Sequence, residues 1–229
     1  MPPSIRAIGL AVLSALSLSV YAVDATVLKP PTGAKVAIAV FADLQTPECA
    51  SAYPLIREAA EAHKVPVMLY DFPLPRHNWA FDAAVWARYF GTQDTRTLKV
   101  GNEFRRFIYS NQNQISRENL AQWVQKFAAE HNVALPAAKD PDGKLAEKVR
   151  ADFALGQRIG VEHPPTIWVI SNSGVSQPIV EELKDREQLS RLIEGMLKNA
   201  GPVAAVRSAP ARRTAVSRAP KSSNHGAKP

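Results

Sequence analysis

Apolar and polar positions change period several times along the chain. Residues 34–41 (AKVAIAVF) are an apolar run rich in β-branched residues, the pattern of a strand covered on both faces. Residues 47–63 follow with Ala52, Leu55, Ile56, Ala59 and Ala60 at helical spacing, which predicts an amphipathic helix. Residues 65–72 (VPVMLYDF) read as a second strand. Strand, helix and strand with short connections make a βαβ unit and so predict a parallel pair. From 78 to 160 the pattern is helical throughout. Trp79, Ala83, Trp86, Ala87 and Phe90 mark one helix; Phe104, Phe107 and Ile108 mark a second. Leu120, Trp123, Val124 and Phe127 mark a third, with Ser116 as its expected N-cap, and Leu145, Val149, Phe153 and Leu155 a fourth. At this spacing the aromatic residues are core positions. Residues 166–170 (TIWVI) form a strand, 171–174 (SNSG) a turn, 176–182 the expected antiparallel partner, and 185–197 a closing amphipathic helix.

Charge changes the picture at the two ends. The chain of 229 residues carries 28 Lys and Arg against 21 Asp and Glu, a net of +7. Arg6 is the one charge in residues 1–22, and residues 201–229 hold Arg207, Arg212, Arg213, Arg218, Lys221 and Lys228 with no acid. The 21 basic groups between them balance all 21 acids, so the folded middle is neutral. Residues 1–22 read as a secretory signal: Arg6, then an apolar run of small residues from 7 to 20, too short for a membrane span of about 20 residues. The alternatives for this segment are a buried helix or an uncleaved anchor. Cleavage leaves no membrane span and places the protein in a periplasm or outside the cell. Residues 23–33 are expected as a linker. Residues 201–229, built from Ala, Pro, Ser and Arg, are expected as a disordered basic tail. A solubilising role is the preferred reading of that tail, with attraction to an anionic surface as the alternative. Export argues against nucleic acid as a partner.

The order of elements is that of a thioredoxin-type α/β sandwich, with a βαβ half (34–77), a helical insertion (78–160) and a ββα half (161–200). Three segments carry a closer resemblance. Phe41-Ala42-Asp43-Leu44-Gln45-Thr46-Pro47-Glu48-Cys49 resembles the F-x-D-x-x-C-P-x-C segment of DsbA-like thiol–disulfide oxidoreductases. Residues 71–77 (DFPLPRH) resemble the segment after that family's second strand. Residues 149–170 resemble its helix, cis-proline loop and strand, with Pro165 in the place of the cis-proline. The resemblance implies a redox site at the first helix and a peptide-pairing edge beside Pro165, needing no cofactor.

Two departures make this a degenerate active site. Thr46 stands where the family has its nucleophilic cysteine, and a hydroxyl with no adjacent base is not a nucleophile at neutral pH. Thr46 reads instead as the N-cap of a helix opened by Pro47 and Glu48. Cys49, the only cysteine, takes the resolving position. Without a partner thiol it cannot complete dithiol exchange. Its remaining roles are an inert buried thiol, a monothiol forming mixed disulfides, or a redox-sensing thiol. The second departure is Pro164, which has no N–H to give a bound peptide. His163 is a further candidate beside Cys49, and nothing shows metal-ligand spacing with it. The sequence therefore predicts a redox-degenerate binder of a peptide or protein, with monothiol exchange or isomerisation through Cys49, or a surface-tethered binder acting through its tail, as alternatives.

Overall fold

A computed structural model describes residues 24–93 and 99–200. The expected signal (1–22) and basic tail (201–229) lie outside the described residues. The expected linker carries a 3-10 turn at Ala25–Val27, and Ala25 and Leu28 are buried against the sheet.

β1 (Val36–Ala42) is buried at every position, as its unbroken apolar run requires. It runs into α1 (Pro47–His63) and returns through β2 (Val67–Asp71), which pairs parallel to β1 with Ile38 opposite Val67 and Ala42 opposite Asp71. Four helices follow: α2 (Ala80–Thr92), α3 (Lys99–Asn111), α4 (Leu120–Glu130) and α5 (Lys144–Arg158). The chain re-enters the sheet as β3 (Thr166–Ser171), antiparallel to β1, and closes with α6 (Arg186–Asn199). The sheet order is β2-β1-β3 and then the short β4 (Gly174–Val175), with β5 (Ile179–Val180) also on β3. This is the predicted α/β architecture, a thioredoxin-like fold with helices inserted between its halves.

The sheet separates two apolar layers. One joins β1, α1, α2, α3, α4 and α6 around Phe90, Phe104 and Phe127. The other packs Phe41, Phe72 and Trp168 under Ile159. Gly156 of α5 lets that helix sit on the second layer, because a Cβ there would lie 2.7 Å from the Phe72 ring and 3.0 Å from Phe41. The buried helical aromatics are core, as expected.

Three local expectations need correction. Of the strand expected over 176–182 only Ile179–Val180 forms, and a separate two-residue strand, Gly174–Val175, begins in the expected turn. Val169 N–H is taken by the Ser176 hydroxyl (3.0 Å) rather than by a backbone carbonyl, and Pro178 has no N–H to continue a ladder. Ser116 does not cap α4. Asn119 holds that position, and its side-chain oxygen accepts the Ser116 N–H at 2.8 Å. Thr46 is the residue preceding α1, as expected, but its side chain makes no capping hydrogen bond. The Cys49 N–H that such a cap would accept donates instead to the Thr46 carbonyl at 3.1 Å.

Candidate functional site

The site forms where β1 ends. After Ala42 the chain turns through residues 43–46 and enters α1, with Pro47 in the first turn where its missing N–H costs nothing. Thr46 is 5% exposed, and its hydroxyl is buried with no hydrogen-bond partner. Pro47 and Glu48 are exposed at the helix start. Cys49 lies inside the first turn, only 2% exposed, and its Sγ accepts the Asp43 N–H at 3.4 Å. Burial pushes the Cys49 thiol far above the usual range; the Asp43 N–H opposes this weakly, and the Asp43 and Glu48 carboxylates add to it.

Asp43 organises the loop. Its carboxylate is buried and accepts the Gln45 N–H (2.6 Å), the Leu74 N–H (2.7 Å) and His77 Nδ1 (2.7 Å). The side chain of Gln45 in turn accepts the Trp79 N–H at 3.2 Å. From α3's end, the Gln112 amide donates to the Leu44 carbonyl (2.7 Å) and the Thr46 carbonyl (3.1 Å). Asp43, His77 and Gln112 were missed as site residues. The first two stand in the quoted motifs, but nothing in the sequence joins residues 34 positions apart.

The cis-proline position lies on the neighbouring strand. Phe41 pairs with Thr166, which brings Pro165 to the end of the sheet where β1 hands over to α1. The Pro164–Pro165 peptide bond is cis, and both prolines are buried. The Pro165 carbonyl accepts the Glu181 N–H at 2.8 Å. His163 is exposed; its Nδ1 lies 3.3 Å from Glu181 Oε1, and it is not among the groups acting on the Cys49 thiol. His163 therefore does not meet Cys49; it lies on the surface against Glu181, where a lone histidine is ordinarily found.

Below the site an ionic network holds the inserted helices to the sheet. Asp71, 1% exposed, meets Arg88 Nε at 2.5 Å and Arg105 Nη2 at 2.6 Å, and Arg88 also bonds Asp152. A groove of about 740 Å³ between α1 and α3 is lined by Ala50, Tyr53, Arg57, Glu58, Asn102 and Arg106, among others. Among the described residues no cluster has the ligands for a metal ion, and no helix is long and apolar enough to cross a membrane.

Chemically this arrangement offers no dithiol. Every contact of the Asp43 carboxylate is with Gln45, Leu74 or His77, so it is not a base for Thr46. What remains is a shaped end of a sheet with exposed Pro47 and Glu48 on one side and the proline loop on the other.

Comparison with known proteins agrees with this geometry. The thioredoxin family profile matches residues 31–195. Among solved structures, Wolbachia pipientis alpha-DsbA1 superposes with a TM-score of 0.58 at 16% identity, covering 76% of this chain and 95% of its own. The thiol-disulfide exchange protein alpha-DsbA2 of the same organism gives 0.60 at 15%, covering 73% and 85%. Pseudomonas aeruginosa DsbA2 gives 0.54 at 17%, covering 75% and 93%. No curated protein matches the sequence.

Proposed function

Because the chain belongs to the thioredoxin family and has the fold of DsbA proteins, we propose that it is an exported DsbA-like protein that binds a peptide or protein segment without dithiol exchange. The observation that carries this reading is Thr46, which occupies the nucleophile's position with a buried hydroxyl and no base in contact. Cys49 supports it from the other side, since a thiol 2% exposed with a raised pKa is a poor nucleophile. The same two facts speak against monothiol exchange or isomerisation through Cys49.

The binding face in this reading is built from Pro47, Glu48, His163, Pro164 and Pro165. A bound extended segment gives an N–H to the Pro164 carbonyl and receives none back, because Pro164 has no N–H. The side chains of Glu48 and His163 flank it. No cofactor takes part. The signal-like pattern of residues 1–22 supports a periplasmic or secreted location.

The test is insulin reduction and disulfide formation by the purified full chain. No turnover above the uncatalysed rate is expected. Clear turnover, abolished by Cys49→Ala, would overturn the reading and restore the monothiol alternative.

A further inference from the structure

α1 and α3 face one another across a groove instead of closing on it. From α1 it is lined by Ala50, Tyr53, Pro54 and Arg57, and from α3 by Asn102, Arg106 and Tyr109, each set at helical spacing. Gln112, just past α3, reaches the Leu44 and Thr46 carbonyls at the start of α1. The two helices therefore run antiparallel, and Tyr109 lies at the Ala50 end. Packed helices ordinarily fill such a seam with apolar side chains. Here about 740 Å³ stays open, within the range of small-molecule sites, about 300–1,000 Å³.

Two tyrosines form the buried side of the groove. Tyr53 and Tyr109 are both buried, with ring centroids 5.2 Å apart. The Tyr53 hydroxyl donates to the Asn102 carbonyl at 3.0 Å. Tyr109 is 8% exposed, and among the described residues its hydroxyl makes no hydrogen bond. Unlike the equally unpartnered Thr46 hydroxyl, it is not sealed from the surface. Burial raises the Tyr109 hydroxyl well above its ordinary pKa, so it stays protonated and remains a donor. A donor more than nine-tenths buried, opening on a cavity and meeting no acceptor of its own chain, calls for an acceptor from outside.

The charge beside it is positive. Arg57 comes from α1 and Arg106 from α3; both are exposed, and neither joins an ion pair among the described residues. They converge on one point: burial raises the Tyr53 hydroxyl's pKa, and Arg105, Arg57 and Arg106 all oppose that rise. Arg105 is already paired with Asp71. The acids that line the groove are engaged or lie farther from Tyr109. Glu103 meets His131 Nδ1 at 3.4 Å and Lys99 Nζ at 3.9 Å. Glu58 and Glu61 stand farther along α1 and pair with neither guanidinium.

We propose that this groove binds a small organic carboxylate, held by Arg57, Arg106 and the Tyr109 hydroxyl, with its apolar body on Tyr53 and Pro54. Two guanidiniums and a phenol present donors only, which suits a carboxylate and excludes a cation. The site is separate from the peptide-binding end of the sheet, so its failure would leave that reading untouched.

The test titrates 3-phenylpropionate into the full chain at low salt and follows backbone amides by NMR. Saturable shifts are expected at Ala50, Tyr53, Arg57, Asn102, Arg106 and Tyr109, with a Kd on the order of 1 mM, as a ligand of this size allows. The uncharged 3-phenylpropionamide should bind at least about tenfold more weakly. Arg57→Gln and Arg106→Gln should each weaken the carboxylate about fivefold or more. Tyr109→Phe keeps the ring contact with Tyr53 and removes only the hydroxyl; it should weaken the carboxylate about threefold or more with an unchanged melting temperature. Absence of saturable shifts by about 20 mM, or shifts confined to the Pro165 end, would overturn the proposal. So would an amide that binds as well as the acid, or variants that bind as the wild-type chain does. Inorganic phosphate that moves the same amides with equal affinity would also overturn it, because the apolar body would then contribute nothing.

Discussion

His77 Nδ1 lies 2.7 Å from Asp43 Oδ2, joining the loop after β2 to the loop that enters α1. Because Asp43 also accepts the Leu74 and Gln45 N–H groups, one buried carboxylate fixes both loops around Thr46 and Cys49. Asp43→Ala leaves those two N–H groups without a partner, and such orphans cost about 1–3 kcal/mol each. A loss of about 2–4 kcal/mol in urea unfolding is expected, against about 1 kcal/mol for His77→Ala, which removes only a partly exposed partner. Equal losses from both would show that the histidine, not the backbone donors, carries the contact.

Cys49 predicts a pH dependence. Its folded pKa is raised while the unfolded thiol titrates near its usual value of about 8.5. Above that pH the unfolded chain releases a proton that the folded chain keeps. Stability is therefore intact below about pH 8.5 and falls above it, by up to about 1.4 kcal/mol per pH unit. Tyr53, Tyr70 and Tyr109 are raised as well, but from an ordinary value of about 10, so the first part of the decline belongs to the thiol. Chemical denaturation between pH 8 and 10 should show the slope in the wild-type chain. A slope that survives in Cys49→Ala would assign it elsewhere.

Thr46 predicts a stabilising substitution. Its hydroxyl is buried and unpaired, and valine has nearly the same shape without the polar atom. Thr46→Val should raise stability by about 1 kcal/mol, read as a higher urea midpoint with an unchanged slope. A loss of stability would mean that the hydroxyl has a partner in solution. Thr46→Cys addresses the same position differently: under oxidising conditions its mass should fall by two hydrogens as a disulfide to Cys49 forms.

Arg105 is 6% exposed and paired with buried Asp71. Removing one partner of a buried ion pair leaves a charge uncompensated, at about 3–5 kcal/mol. Arg88 still contacts Asp71, so Arg105→Ala should cost about 3 kcal/mol. The double change Arg105→Met with Asp71→Asn should recover part of it. No recovery would locate the loss in Arg105's packing rather than its charge.

Much of this was legible in the sequence because period and motif both act locally. The apolar run before Phe41 and the helical spacing of Ala52, Ile56, Ala59 and Ala60 survive in the fold because all of them are buried. Thr46, Cys49 and Pro165 could be located because each stands inside a short ordered segment. Arg105 could not be read as buried: a charged residue on a helix is ordinarily solvated, and only Asp71, brought in by β2, makes its burial tolerable. The interruption between Val175 and Ile179 escaped for a similar reason. A serine hydroxyl replacing a backbone acceptor leaves the alternation of residues intact while ending the ladder.

That interrupted strand also determines how another chain can approach. An edge of two-residue strands, with a proline between them and a serine already occupying Val169, offers too few free donors and acceptors in register to recruit a neighbour's strand. Lateral growth of the sheet, the usual route from an open edge to aggregation, stops on that side. On that side the proposed binding face is confined to the end of the sheet, over the prolines, and the open edge that remains is β2.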